Sequence, residues 1–252
     1  RGLGDVYKRQ GYLATARTKP SLLLRGETPR LIDEWQVAPV LWDAVRNTVD
    51  ERNLKGQFIL TGSTVVEDHN GEIMHTGTGR ISKMPMYPMS LYESKESTGS
   101  ISLRSLFDDP SYDIDGLQSD MSVEQLIYAA CRGGWPASLD ITSQEAQLLI
   151  AQDYVNVICD EDISRVDGVR RQPALARLIM RSYARNICTL VKKSKMLADI
   201  TVEMEKTSMP TFDDYLSALQ RLFVIEDVEA WCPAIRSAAA IRSGAKRCFV
   251  CL

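Results

Sequence analysis

Two adjacent carboxylates follow a short apolar run near the start of the chain. Asp33 and Glu34 come directly after Leu31 and Ile32, and Pro29 lies before the run. An apolar run between a proline and a charged pair is typical of a short strand that is buried on both faces. At the carboxyl end of such a strand an Asp can hold Mg²⁺, directly or through water, and the next Glu can orient or deprotonate a water. The alternative is a strand that ends in two solvated acids.

The next thirty residues predict a helix and then a second strand. One helical face carries the apolar residues Leu41, Val45 and Val49. A second apolar run then ends in the hydroxyls of Thr61 and Ser63. Strand, crossover helix and strand make a βαβ unit, in which the two strands are parallel. We therefore expect Asp33 and Glu34 to lie beside Thr61 and Ser63, where a hydroxyl can sense a terminal phosphate.

Composition places the chain among ordinary globular proteins. It has 252 residues, 44% hydrophobic and 25% charged, with a net charge of −3. This length suits one large or two modest domains, and the charge gives no general attraction to nucleic acid or membrane. No apolar run reaches the length of a membrane span, and no signal peptide is visible. Six scattered cysteines give no disulfide or zinc pattern, so we expect a reducing cytoplasm, with the Cys248 and Cys251 thiols incidental.

The sequence predicts several segments. Residues 1–10 have no helical or strand period, and we interpret them as a non-native scar at the start of a chain that is truncated at both ends. Residues 11–93 are predicted to form a partial α/β core with a third short strand at 81–86. Residues 94–120 are rich in Ser, Asp and Gly and are predicted to be a linker. Residues 121–252 are predicted to form a mainly helical domain.

Caps and periodicity locate the helices of that second domain. We expect helix starts at Ser122, at Thr142, which opens a capping box with Glu145, and at Pro173. Thr211 is predicted to cap an amphipathic helix, and residues 224–231 read as a strand.

The motifs at 31–36, 58–63, 76–80 and 88–93 occur in an order that resembles one group of proteins. That group is the bacterial and archaeal AAA-type ATP-binding proteins that carry an uncharacterised C-terminal domain, of the domain of unknown function 4143 type. Residues 132–136 and 211–231 resemble that second domain. The resemblance implies a parallel-sheet P-loop ATPase core followed by a helical lid and a winged-helix-like domain.

The resemblance also implies roles for individual residues. Asp33 and Glu34 would be the Walker B pair of an enzyme that binds and hydrolyses ATP, with Asp33 holding Mg²⁺. Thr61 or Ser63 would be sensor 1. Arg80 is a candidate sensor or arginine finger. An arginine finger often acts on the site of a neighbouring subunit, so this role would imply a homo-oligomer. The alternative is a structural arginine in a loop. His69 and His75 are interpreted as solvated loop residues.

One motif of the family does not occur in the sequence. The P-loop pattern Gly-x-x-x-x-Gly-Lys-Ser/Thr is not found among the 252 residues. In this family it would precede Asp33, upstream of residue 11. Without its backbone cradle and lysine most of the phosphate-binding energy is missing. We therefore expect that the chain as given does not hydrolyse ATP at a useful rate.

A basic stretch supports a rival function. Residues 165–195 contain nine Lys or Arg and one acid. The candidate contacts to DNA or RNA phosphates are Arg177, Arg181, Arg185, Lys192 and Lys193. The alternative is a solvated face that pairs with nearby acids such as Asp213 and Asp214. The chain would then be a winged-helix nucleic-acid binder with a regulatory or vestigial ATPase platform, and a protein-interaction scaffold is a third possibility.

Overall fold

The computed structural model describes residues 3–63, 77–109, 111–202, 204, 207–230 and 244–250, without the side chains of residues 3–10. The chain divides into two compact units, Arg1–Pro85 and Met86–Leu252. The fold is mixed α/β, with a small parallel sheet in the first unit and a mainly helical second unit. The domain limits given above stay predictions.

The first unit contains two helices and two strands in its described part. They are α1 (Leu3–Thr18), β1 (Arg30–Ile32), α2 (Val40–Arg52) and β2 (Phe58–Leu60). Short 3₁₀ turns at Pro20–Leu22 and Trp35–Val37 connect them. Helix α1 shows that a helix begins within the first ten residues, so the prediction that this segment has no regular structure was wrong. That residues 1–10 are a non-native scar stays a prediction.

The parallel pairing of the two strands is confirmed. Arg30 lies opposite Phe58 and Ile32 lies opposite Leu60, and the crossover between the strands contains α2. The prediction that the strands are buried on both faces was wrong, because the side chains of Leu31 and Ile59 are 62% and 53% exposed. Successive side chains of a strand point to opposite faces, and only the face with Ile32 packs on the helices in the described residues.

The core of the first unit is small. Ile32 packs with Leu13 and Leu23 against a buried cluster formed by Ala16, Ala38 and Leu41. The predicted third strand is wrong, because residues 77–86 are described and contain no strand. The side chains of Met84 and Met86 are 87% and 93% exposed. An apolar run without a pairing partner does not form a ladder, whatever its strand propensity.

The second unit contains eight helices and a strand pair in its described part. The helices are α3 (Leu103–Asp108), α4 (Val123–Arg132), α5 (Pro136–Leu139), α6 (Gln144–Val157), α7 (Ile163–Arg165), α8 (Pro173–Arg185), α9 (Lys193–Thr201) and α10 (Met209–Arg221). The strands β3 (Ile225–Val228) and β4 (Lys246–Phe249) are antiparallel. None of the helices described in either unit has the length and apolar composition needed to cross a bilayer.

The main core lies among α8, α9, α10 and β3. Its largest fully buried side chains include those of Tyr183, Phe212, Ile179 and Met196. The Tyr183 ring packs on Phe249 of β4 with centroids 5.2 Å apart, and its hydroxyl donates to Asp227 Oδ1 at 2.9 Å. The amphipathic pattern after residue 211 is confirmed for Phe212, Tyr215, Leu216 and Leu219, which are buried, but not for Phe223, which is 44% exposed.

Two helix caps differ from the sequence prediction. Ser143 rather than Thr142 caps α6, and its Oγ accepts the N–H of Ala146. Ser208 rather than Thr211 caps α10. Several neighbouring hydroxyls can serve as a cap, and only the path of the backbone decides which oxygen meets the free N–H groups. The capping box at Ser122 with Gln125 is present as a reciprocal pair of hydrogen bonds.

Residues 86–96 pack on the turn that follows α4. The N–H of Met89 donates to the Gly134 carbonyl at 2.8 Å, and a Cβ on Gly134 would lie 2.3 Å from the Met89 oxygen. The buried Arg132 donates both Nη groups to Glu96, at 2.8 and 2.7 Å. This bidentate pair lowers the pKa of Glu96. Two motifs that are forty residues apart in sequence are thus one packed feature.

A buried charge cluster joins α7, α8 and α10. The guanidinium of Arg171, whose side chain is 2% exposed, donates to Asp167 at 2.8 Å and to Asp214 at 2.8 and 2.9 Å. It also donates to the Ile163 carbonyl at 2.6 Å. Arg221 lies 3.4 Å from Asp167. The hydrogen bond from Arg171 is the main reason that the pKa of Asp167 lies below its usual 3.8.

Removing Arg171 is expected to destabilise the chain strongly. R171M leaves the nearly buried carboxylate of Asp167 without its main partner, which costs about 3–5 kcal/mol of unfolding free energy. Urea denaturation followed by circular dichroism at pH 7 measures this loss. R104M is the control, because the side chain of Arg104 is 91% exposed and its pair with Asp108 contributes little. Equal losses in both variants would contradict the assignment.

The deficit of R171M also depends on pH in a defined direction. The pKa of Asp167 is lower in the folded chain than in the unfolded chain. The stabilisation is therefore present above the unfolded value and is lost as the pH falls through the lower, folded value. The unfolding free energies of wild type and R171M should converge below pH 3.8, whereas a constant difference would contradict a carboxylate origin.

Candidate functional site

Asp33 and Thr61 occupy matching positions directly after two neighbouring strand ends. Because Ile32 lies opposite Leu60 in a parallel register, the next residue of each strand lies at the same edge. The Thr61 hydroxyl donates to Asp33 Oδ1 at 2.7 Å. The Thr61 N–H also donates to the Ile32 carbonyl at 3.0 Å. The edge thus brings a carboxylate and a hydroxyl into contact.

Glu34 has an unusual backbone conformation at this edge. Its φ and ψ are 54° and 46°, in the left-handed region that residues other than glycine rarely adopt. The Trp35 N–H then donates to the Thr61 carbonyl at 3.1 Å, so the bend is attached to the second strand. A non-glycine residue in this region costs roughly 1 kcal/mol or more, and such residues are concentrated at functional sites.

Gln36 connects Glu34 to the second strand. Its Nε2 donates to Glu34 Oε2 and lies 3.4 Å from Ser63 Oγ. Its Oε1 is buried and has no hydrogen-bond partner in the described residues. A Cβ on Gly62 would lie 2.5 Å from that oxygen, so the glycine leaves the space that the amide occupies. Gln36 therefore holds the Glu34 carboxylate toward Ser63.

Two tryptophans pack on each other beside the bend at Glu34. The Trp35 and Trp42 rings are 5.0 Å apart between centroids. A Cβ on Gly77 would lie 2.8 Å from the Trp42 ring. The pair links the bend after β1 to the first turn of α2, and this fixes the backbone from which Glu34 and Gln36 project.

The structure does not bring Arg80 to this edge. Its Nε donates to Asp50 at 2.9 Å, and its Nη1 lies 3.4 Å from the Thr78 carbonyl. Asp50 lies in the last turn of α2, about 15 Å along the axis from Val40, where the helix begins after β1. These contacts agree with the structural alternative for Arg80. His69 and His75 lie outside the described residues.

The five basic candidates of the second unit divide into two groups. Arg177 pairs with Asp160 at 2.8 Å and Lys193 pairs with Asp213 at 2.7 Å. The Arg177 guanidinium lowers the pKa of Asp160. The exposed candidates Arg181, Arg185 and Lys192 form no ion pair with the described residues.

Sequence reasoning gave no role to Gln36 or Gly62. Signals for both were present, because a Gln two residues after a Glu can reach back to it across a tight bend. A glycine between two hydroxyl residues at a strand end likewise allows a close approach. Among the described residues, no three potential metal-ligating side chains of His, Cys, Asp or Glu are grouped. The site is therefore one acid–hydroxyl pair and one acid–amide pair.

Comparison with known proteins matches two families. The AAA domain matches residues 8–95. The family described as Domain of unknown function (DUF8612) matches residues 123–250. Neither the curated proteins nor the solved structures gave a match.

The first match relates residues 8–95 to P-loop ATPases, which bind ATP and Mg²⁺ as a class. The second corrects the predicted 4143 type, because glycine turns and apolar helix faces specify local structure that unrelated helical domains share. It covers just over half of the 252 residues. The chain therefore belongs to the family that carries the domain of unknown function DUF8612, and an AAA domain precedes that domain.

Proposed function

We propose that Asp33, Glu34, Thr61 and Ser63 form the metal and water half of an ATPase site, the Walker B pair and sensor 1. The hydrogen bond from Thr61 to Asp33 carries this proposal, because it joins the ends of two adjacent parallel strands. The carboxyl edge of such strands is where α/β proteins bind their ligands. The AAA match over the same residues gives independent support.

The acid–hydroxyl pair fits a Mg²⁺ site that is completed by water and phosphate. The Thr61 hydroxyl donates to Asp33 Oδ1, whereas Asp33 Oδ2 accepts no hydrogen bond from the described residues. Asp33 would therefore hold the ion through Oδ2 or through a bound water. When bound, the ion would neutralise charge on the phosphates of ATP. Asp33 is exposed, so a metal-bound water can reach its Oδ2 from solvent.

Glu34 is the residue that would orient the attacking water. In the present arrangement Gln36 donates to its carboxylate and holds it toward Ser63. Glu34 and Ser63 are exposed, so rotation of the Glu34 side chain would release its carboxylate toward a substrate. Gln36 is thus a positioning residue for Glu34, and the Ser63 hydroxyl contacts the same Gln36 amide.

The phosphate half of the site is not among these residues. The 252-residue sequence contains no P-loop pattern, and Arg80 is engaged by Asp50. Asp33 and Glu34 alone provide no cradle for the negative charge of ATP. We infer that hydrolysis at this edge requires a P-loop from outside these 252 residues, and that the chain as given does not hydrolyse ATP at a useful rate.

Binding of a divalent ion at Asp33 can be tested on the chain itself. Mn²⁺ in place of Mg²⁺ is expected to broaden the amide NMR signals of Asp33 and Thr61. D33N should abolish this broadening, because the ion loses its carboxylate. D50N is the matched control, since Asp50 is an exposed acid at the far end of α2, and it should behave as wild type. Broadening that persists in D33N, or that is lost in D50N, would count against the site.

The role of Glu34 can be tested where a P-loop is present. In a longer protein that contains these residues together with a P-loop, E34Q should lower the ATP hydrolysis rate roughly 10²–10⁴-fold. The affinity for ATP should change little, because Glu34 acts on water rather than on the nucleotide. Phosphate release and equilibrium binding of a fluorescent ATP analogue measure the two effects. Unchanged hydrolysis would remove Glu34 from the mechanism.

A second candidate function rests on the order of elements in the second unit. Three helices, α8, α9 and α10, precede an antiparallel strand pair, which is the order of a winged helix. The acids of α10 engage Lys193 and Arg171. The one basic residue of α10, Arg221, donates to Asp167 and to the Val166 carbonyl, so this helix presents no exposed cation to a phosphate. Phosphate contact would instead come from the end of α8 and the start of α9, where Arg181, Arg185 and Lys192 are exposed.

DNA binding by this surface has a measurable salt signature. R181A/R185A is expected to weaken binding to a short duplex at least tenfold at low salt. The slope of log K against log salt should fall by about two, one for each lost phosphate contact. K83A/R104A is the control, because it removes the same charge from exposed positions elsewhere. Equal losses in both double variants would show a general charge effect, and no binding by wild type would reject this function.

A further inference from the structure

Two cysteines that are sixty residues apart in sequence lie together in the second unit. The N–H of Cys188 donates to the Arg247 carbonyl at 2.7 Å, and the Arg247 N–H donates to the Thr189 carbonyl at 3.3 Å. These bonds place the turn after α8 directly beside β4. Cys248 is the residue after Arg247, and its thiol interacts with that of Cys188. Burial and then a hydrogen bond to the Cys188 thiol raise the pKa of Cys248.

The two thiols differ in their access to solvent. Cys188 is exposed and lies in a turn with φ of 58°, a left-handed conformation. Cys248 is partly buried in β4, opposite Glu226. An exposed thiol meets reagents from solution first, and a neighbouring thiol that is partly sheltered can then resolve the product.

The other described cysteines lack this arrangement. Cys131 is exposed on α4, and Cys159 is buried against Met180 Sδ at 3.5 Å. Burial raises the pKa of the Cys159 thiol, which lowers its reactivity. Among the described cysteines, only Cys188 and Cys248 lie on segments that are joined by backbone hydrogen bonds of this kind, with one thiol exposed and the other partly buried.

We propose that Cys188 and Cys248 form a dithiol site that small-molecule disulfides oxidise to an intramolecular disulfide. The Cys188 thiolate attacks a disulfide of the type R–S–S–R, forming Cys188–S–S–R and releasing one thiolate R–S⁻. The Cys248 thiolate then attacks Cys188 Sγ and releases the second R–S⁻. Overall, two protein thiols lose two protons and two electrons, and one external disulfide is reduced to two thiols.

The bond would attach the connection between α8 and α9 to the sheet. That connection already contacts β4 through two backbone hydrogen bonds, which keep the two segments that carry the cysteines adjacent. The disulfide would close a loop of about sixty residues and restrict the unfolded chain. Oxidation is therefore expected to raise the melting temperature of the second unit by about 5 °C or more. This inference does not depend on the proposed ATPase role.

The test uses the 252-residue chain in glutathione buffers of graded ratio between the reduced and oxidised forms. After quenching with acid and alkylation of the remaining thiols, peptide mass spectrometry should find Cys188 joined to Cys248, the exposed Cys131 alkylated or joined to glutathione, and the buried Cys159 alkylated. The oxidised chain should melt at the higher temperature, and dithiothreitol should reverse both changes.

Variants separate the two steps. C248S should stop at glutathione attached to Cys188, whereas C188S should form no disulfide that contains Cys248. C131S is the matched control and should behave as wild type. Melting curves in dithiothreitol check that each variant folds. The proposal is overturned if wild type yields only glutathione adducts, if Cys248 pairs with Cys251 instead, or if C188S still forms a bond at Cys248.

Discussion

The first unit depends on the parallel pairing of two three-residue strands. Parallel strands cannot be joined by a tight turn, so α2 must cross between them, and its first turn must begin near the end of β1. The same register places Asp33 level with Thr61. A slip of one residue would turn Ile32 away from the helices and part the acid from the hydroxyl. Packing of the unit and geometry of the site therefore rest on one set of hydrogen bonds.

The second unit is organised by a larger apolar core and by ion pairs that cross between its helices. Arg171 is buried among two carboxylates and a carbonyl, whereas Arg132 forms a forked pair with Glu96. Such pairs fix the register of helices, because a guanidinium meets both oxygens of a carboxylate in only one relative position. They also remove cations from the surface. A basic stretch in the sequence therefore does not by itself indicate a phosphate-binding surface. Only those of its residues that form no ion pair in the fold are candidates for phosphate contacts.

The two proposed sites differ in what supports them. At the strand edge, a strained Glu34, an amide that bridges two groups and an acid–hydroxyl contact occur within one family match. These residues could hold a metal ion and orient a water, but the sequence contains no P-loop motif that would bind the phosphates. The proposal for the cysteine pair rests on backbone hydrogen bonds between a turn and a strand, which no sequence motif indicated. The first site follows from a pattern that is shared with other proteins, whereas the second follows from this chain's own packing.

From the sequence alone, the order of motifs gave the resemblance to P-loop ATPases. Local patterns determined the order β1, α2, β2, the parallel relation of these two strands and the approximate position of α10. These follow from local apolar periodicity and from residues next to each other in the chain. The sequence did not determine that Leu31 and Ile59 are exposed, that Arg80 pairs with Asp50, or which hydroxyl caps α6. The proximity of Cys188 to Cys248 also appeared only in the folded chain. The choice of the cap depends on the path of the backbone at the start of the helix. The other features depend on which distant segments meet, and periodicity does not specify this because it defines a buried face but not the segment that packs on it.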